Sequence, residues 1–157
     1  MPALRSALTQ TIGLTLLRVV VGFIFVLHGV QKTFEQTFPG VQGFFESLGI
    51  PLASVAAPAV SLLELVGGVL LIVGAFTRII AALLTINMIV AIATVHAALG
   101  FFVDAGGYEF VLLLGAAAIA IALMGPGRFS VDELIAARRR RSAAVASPIA
   151  AEEPVSA

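Results

Sequence analysis

An all-α fold, a bundle of four transmembrane helices, is predicted by three observations. Of the 157 residues 60% are hydrophobic and only 11% charged, where an ordinary soluble domain carries roughly 25% charged residues. The mean hydropathy is +1.10. The apolar residues also gather into four runs, about 12–32, 56–76, 79–99 and 108–124, each near the length of about 20 residues that crosses a bilayer. In hydrocarbon the backbone must satisfy its own polar groups, so these runs are helices, and the alternation of a barrel strand is absent from them.

The first run is read as retained, because residues 1–11 hold one arginine and no small-x-small cleavage pattern follows the run. A long connection, about 33–55, comes next. In it Val41, Phe44, Phe45 and Leu48 recur at i, i+3, i+4 and i+7, one face of a short helix, with Gly49 as its C-cap and Pro51 blocking continuation. This helix is expected to lie on the membrane surface or to fold over the mouth of the bundle. The stretch FTRI around Arg78 is a tight turn that makes the second and third runs an antiparallel hairpin. GFFVDAG joins the third run to the fourth. Gly125, Pro126 and Gly127 then stop the fourth run, and Ser130 with Glu133 has the spacing of a capping box. The helix so begun ends in Arg138–Arg141, favourable at its negative dipole end and against anionic headgroups. It is expected to be a surface anchor, or else a tail that docks a partner. Residues 142–157 are expected to be disordered. The chain thus divides into a membrane domain, 1–135, and a basic helix end with its tail, 136–157.

Charge sets the expected orientation. Arg5, Arg18, Arg78, Arg128 and Arg138–Arg141 fall toward one side; Lys32, Glu35, Glu46, Asp104 and Glu109 fall toward the other. The positive-inside rule then makes both termini cytoplasmic. Zero formal net charge points away from nucleic acid. The lack of cysteine removes disulfides, thiolate metal sites and any dithiol relay carried by the chain.

Ionisable groups inside spans are costly and face the bundle interior. The candidates are Arg18, His28 and Lys32 in the first span, Glu64 in the second, His96 in the third and Glu109 opening the fourth, with Thr85 and Asn87 adding neutral polarity. From the rise per residue, Arg18 lies about 8 Å from the cytoplasmic end and Glu64 about 18 Å. His28, His96 and Glu109 lie at roughly 24–26 Å, and Lys32 at about 30 Å. Arg18, Gly22, Phe25, Gly29 and Lys32 share one stripe; Ser61, Glu64, Gly67, Gly68 and Leu71 share another. Small residues beside polar ones predict close helix contacts around a polar pocket in the outer half. Each residue also has a plainer role. Arg18 and Lys32 can snorkel, His28 can bond a carbonyl, His96 can sit in water, and Glu109 suits a helix N-terminus. Glu64 is too deep for any of these and must be neutral, or paired with a cation such as Lys32 or Arg18.

The stretches LLRVVVGFIFVLHGVQK, FFESLGIP, LLELVGGVLLIVGAFTR, MIVAIATVHA and GPGRFSVDEL occur in this order over about 1–135. Together they resemble the DoxX family of small four-helix bacterial membrane proteins. The resemblance implies the bacterial plasma membrane and a role in membrane redox chemistry. Related proteins are known as a subunit associated with quinol oxidase or thiosulfate:quinone oxidoreductase, and as partners in oxidative-stress and aromatic-compound metabolism. Arg18, His28, Lys32, Glu64, Arg78, His96 and Glu109 match positions typical of the family, but it carries no shared catalytic assignment to them.

Three classes of function stay open. In the first the chain is a membrane subunit of a redox system. A quinone or another small oxidisable molecule is then the expected substrate; a quinone's carbonyls need donors and its reduction needs protons, and His28, Lys32 and Glu64 suit both. No flavin, nicotinamide, metal or catalytic motif is present, so the cofactor is unidentified. Haem between His28 and His96 is disfavoured, since two histidines on different helices are a weak signal. The second class is transport of a small solute or protons, with a homodimer supplying a second half. The third is a noncatalytic assembly scaffold fixed by buried ion pairs. Expected partners are the lipid bilayer, other membrane or redox proteins, and a second copy of the chain.

Overall fold

The computed structural model describes residues 2–146, with side chains from Leu8 to Ala143. Among these residues there are six α-helices and no strand. Helix α1 (Pro2–Val30) runs straight into a π-helical stretch, Gln31–Glu35, and α2 (Thr37–Ser47) follows. Helices α3 (Ala53–Val73) and α4 (Thr77–Ala91) form the hairpin, and α4 continues as a second π-helical stretch, Ile92–His96. Two short 3₁₀ turns lead to α5 (Glu109–Met124), and α6 (Val131–Ala146) closes the described chain.

The stretches Leu8–Glu35, Ala53–Val73 and Thr77–Leu99 are long and apolar enough to cross a membrane. The fourth run forms a helix of 16 residues, about 24 Å against a hydrocarbon core of roughly 30 Å. Its end is set by Gly125 at φ 87°, and Arg78 Nη1 caps it by donating to the carbonyls of Ala122 and Leu123, both at 3.1 Å. A full fourth span was expected; α5 falls short of it by about a turn.

Lipid tails are as apolar as leucine, so close packing rather than water exclusion holds such a bundle together. Helices α1 and α3 meet through glycine. A Cβ at Gly22 would lie 2.7 Å from the Gly68 carbonyl oxygen, and one at Gly29 only 2.3 Å from the Leu65 nitrogen. The central cluster then joins Val21 and Phe25 of α1 and Leu71 of α3 with Leu84 and Met88 of α4 and Leu114, Ala118 and Ile121 of α5.

The connecting helix α2 lies over the start of α3, burying Val41 and Phe45 against Ala53 and Ala57. Of the four residues expected on one face, Val41 and Phe45 are buried, while Phe44 and Leu48 are exposed. Gly49 at φ 70° ends this helix, as its spacing predicts. Ser130 Oγ accepts from the Glu133 amide at 3.2 Å, but the Glu133 carboxylate pairs with Arg140 instead of reaching back, so half of the capping box forms. Helix α6 runs on through Ser142 to Ala146, beyond its expected end, because Ala-rich sequence propagates a helix easily. Residues 147–157 and the Arg5 side chain lie outside the described residues.

Candidate functional site

The glycine contacts fix which residues of α1 and α3 face one another. Gly29 sits against Leu65; one turn on from Gly29 comes Lys32, and beside Leu65 is Glu64. The Lys32 Nζ donates to both Glu64 oxygens, at 2.6 and 2.5 Å. Asn87 of α4 adds a third bond, its Nδ2 donating to Glu64 Oε1 at 2.8 Å. The carboxylate is 2% exposed and the lysine 24%. Lys32 therefore turns inward rather than snorkelling. Counting rise along each span set Lys32 about 12 Å from Glu64 in depth; the Gly29–Leu65 contact instead brings the two positions to within about one helical turn of each other. Three helices are tied by one buried carboxylate.

Beside this cluster lies a cavity of about 390 Å³. Its walls are largely apolar, among them Phe25, Phe45, Val60, Met88 and Val111, and its polar groups are those of Lys32, Glu64, Asn87, His28, Thr94 and His96. Both π-helical stretches border it, one supplying Lys32 and the other Thr94 and His96. Single π turns inside α-helices are frequent at functional sites. Helix α2 covers part of the cavity with Phe44 and Phe45. His28 is at its exposed rim, its ring centroid 6.4 Å from that of Phe110 on α5. His96 Nδ1 lies 2.7 Å from the Gly106 carbonyl oxygen. A carbonyl only accepts, so Nδ1 carries the proton and a neutral ring offers Nε2 as an acceptor.

Two of the six site candidates lie elsewhere. Arg18 was grouped with the pocket and sits at the opposite end, 2% exposed. Its Nη1 donates to the Pro126 carbonyl, and its Nη2 to that of Phe129 at 2.6 Å and more weakly to that of Ile72 at 3.4 Å. The Gly-Pro-Gly turn after α5 leaves those carbonyls without helical partners, and an arginine fork is the donor set that reaches them. Glu109 faces a separate outer hollow lined by Phe101, Leu112 and Leu113, its Oε2 accepting from the Val103 amide at 3.1 Å. Its place at a helix start aims it at the preceding turn rather than across the bundle. Asn87, noted in the sequence only as neutral polarity, belongs to the cluster; its position in an apolar run was the available signal. Among the described residues no group of three histidine, aspartate or glutamate side chains could hold a metal ion.

Antiparallel apolar helices enclosing a buried, ion-paired carboxylate define a small helical-bundle membrane protein. The chain belongs to the DoxX family, whose model matches residues 13–97. It is 39% identical over 127 residues to a Bacillus subtilis (strain 168) protein named "Putative oxidoreductase CatD", a match covering 79% of this chain and 87% of that one. It is 35% identical over 136 residues to the membrane protein Rv3486 of Mycobacterium tuberculosis (strain ATCC 25618 / H37Rv), covering 78% and 80%. Inner membrane protein YphA of Escherichia coli (strain K12) is 27% identical over 124 residues, covering 76% and 87%. No solved structure matches the chain.

Proposed function

We propose that the chain is a membrane subunit associated with a redox system and that its cavity takes a lipid-soluble, quinone-like molecule. The observation that carries this is the placement of Lys32, Glu64 and Asn87 on one wall of an otherwise apolar cavity. A flat apolar molecule with carbonyl oxygens is complementary to such a lining. Lys32 and a ring N–H of His28 offer donors to those oxygens, and the polar side chains around the cavity can pass the protons that quinone reduction requires. The exposed His28–Phe110 pair at the rim gives a molecule dissolved in the bilayer a way in. The name of the Bacillus subtilis relative agrees with redox association. Purification in mild detergent with native lipid, followed by extraction of isoprenoid quinones and identification of co-purifying proteins, tests this. Quinone retained by the wild type and lost from Lys32→Met is the expected result. Neither quinone nor any redox protein in the preparation would overturn it.

One observation favours a scaffold role as the second reading: the Glu64 carboxylate joins α1, α3 and α4. Under that reading Glu64→Gln loosens the protein without altering any bound molecule. The cavity end is taken as extracytoplasmic and both termini as cytoplasmic, because the arginines gather at the other end. The chain has no cysteine, so single cysteines at Glu46 and at Ser142 report this directly. Labelling of the first alone by an impermeant thiol reagent on intact cells is expected.

A further inference from the structure

Helix α6 is bolted to the bundle at its first turn. The Asp132 amide donates to the Gly74 carbonyl at 3.0 Å. Its carboxylate accepts from the amides of Phe76 and Thr77, at 2.9 Å each, and so caps α4. These bonds fix the rotation of α6 about its own axis, and what it turns outward follows from its sequence. At 100° per residue, with Val131 as zero, Leu134, Ile135 and Arg138 fall within about 60° of the same line. Arg139 and Arg141 lie about 80° to either side, and Arg140 lies opposite, at about 180°. Val131, Leu134, Ile135 and the preceding Phe129 are exposed. Among the described residues Arg140 alone of the four consecutive arginines has an acidic partner, the Glu133 carboxylate on its own face.

We propose that α6 lies in the membrane surface with its apolar stripe in the interface, and that Arg138, Arg139 and Arg141 engage anionic phospholipid headgroups while Arg140 is held away by Glu133. Charge complementarity selects this occupant. An apolar stripe edged by cations on both flanks is the form of a helix lying in an anionic interface. Exposed Phe76, Leu123 and Met124 bring the apolar surface of the bundle to the same end. Four adjacent arginines in the sequence are thus unequal, and the inequality separates lipid binding from a general effect of net charge.

The test uses the full chain in nanodiscs of zwitterionic phosphatidylcholine, with and without phosphatidylglycerol, and follows amide exchange over 131–146 and retention of phosphatidylglycerol on delipidation. Phosphatidylglycerol is expected to slow exchange in α6 and to be retained preferentially. Arg139→Gln and Arg141→Gln should each lower that preference about fivefold, and Arg140→Gln, which removes the same charge, less than twofold. Equal loss in all three variants, or exchange that is the same in both lipids, would overturn the proposal. The second result would also point to a protein rather than a membrane against this face.

Discussion

Helix α1 and the π-helical stretch that continues it carry a cation into each end of the bundle, and the two are satisfied in opposite ways. Arg18 is surrounded by backbone carbonyls from the turn that leads into α6, together with the α3 terminus. Lys32 meets a buried carboxylate, which a side-chain amide from a third helix also holds. At the arginine end the carbonyls of Pro126, Phe129 and Ile72 take the guanidinium donors, and α6 and the α3–α4 turn close around them. At the lysine end the helices part, two of them slip into π geometry, and a cavity opens against the charged cluster. A fork of fixed donors suits a set of scattered carbonyls; a flexible ammonium suits one carboxylate that can change partners. The first arrangement holds the fold together, while the second leaves polar groups beside a space.

The largest test of this contrast removes the lysine. Lys32→Met leaves the Glu64 carboxylate buried without its cation and should destabilise the protein by about 3–5 kcal/mol. Lys32→Met combined with Glu64→Leu should recover most of that loss, since a matched apolar pair avoids the unpaired charge. Thermal unfolding in one detergent reads both variants. A double variant no more stable than the single one would show that the pair does more than cancel charge. The next effect belongs to the other end. Arg18→Met strands the Pro126 and Phe129 carbonyls and should cost about 2–4 kcal/mol. The protein that remains folded should keep its cavity ligand unchanged. Loss of the ligand in this variant would erase the distinction between the two ends.

The smallest effect concerns Asp132, outside the membrane-spanning segments. Burial alone pushes its carboxyl up, but the Thr77 and Phe76 amides and the nearby Arg18 charge outweigh this and hold it below the usual carboxylate range. A lowered carboxyl contributes stability that is present above its unfolded value, about 3.9, and lost as the pH falls through the folded one. The protection of α6 amides relative to their intrinsic exchange rate should therefore fall on acidification below about pH 4. Asp132→Asn should weaken the α4 cap by about 1 kcal/mol and flatten that acid dependence. An unchanged pH profile in the variant would show that another group controls α6.

Much of the bundle was readable residue by residue. Apolar runs located the helices, and Ser61, Glu64, Gly67, Gly68 and Leu71, spaced along one stripe of α3, are all buried. Glycine beside glutamate pointed to a close neighbour, and the neighbour is α1. What escaped depended on geometry that leaves little trace in composition. The π turns at Lys32 and His96 use ordinary helix-forming residues. Asp132 caps amides 55 and 56 positions earlier in the chain, a separation at which no local spacing rule applies. Glu109 was placed in the pocket by its depth and by sharing a stripe with small residues of the fourth run; at the first position of a helix neither says which way the side chain turns.

The most direct measurement is photolabelling in nanodiscs with a quinone that carries a photoreactive group, followed by peptide mapping of wild type and Lys32→Met. Label on the cavity-lining stretches 25–32, 87–96 and 106–114 of the wild type, strongly reduced in the variant, is the expected result. Label spread evenly over the lipid-facing surfaces, and equal in the two proteins, would contradict a quinone site beside the Lys32–Glu64 pair.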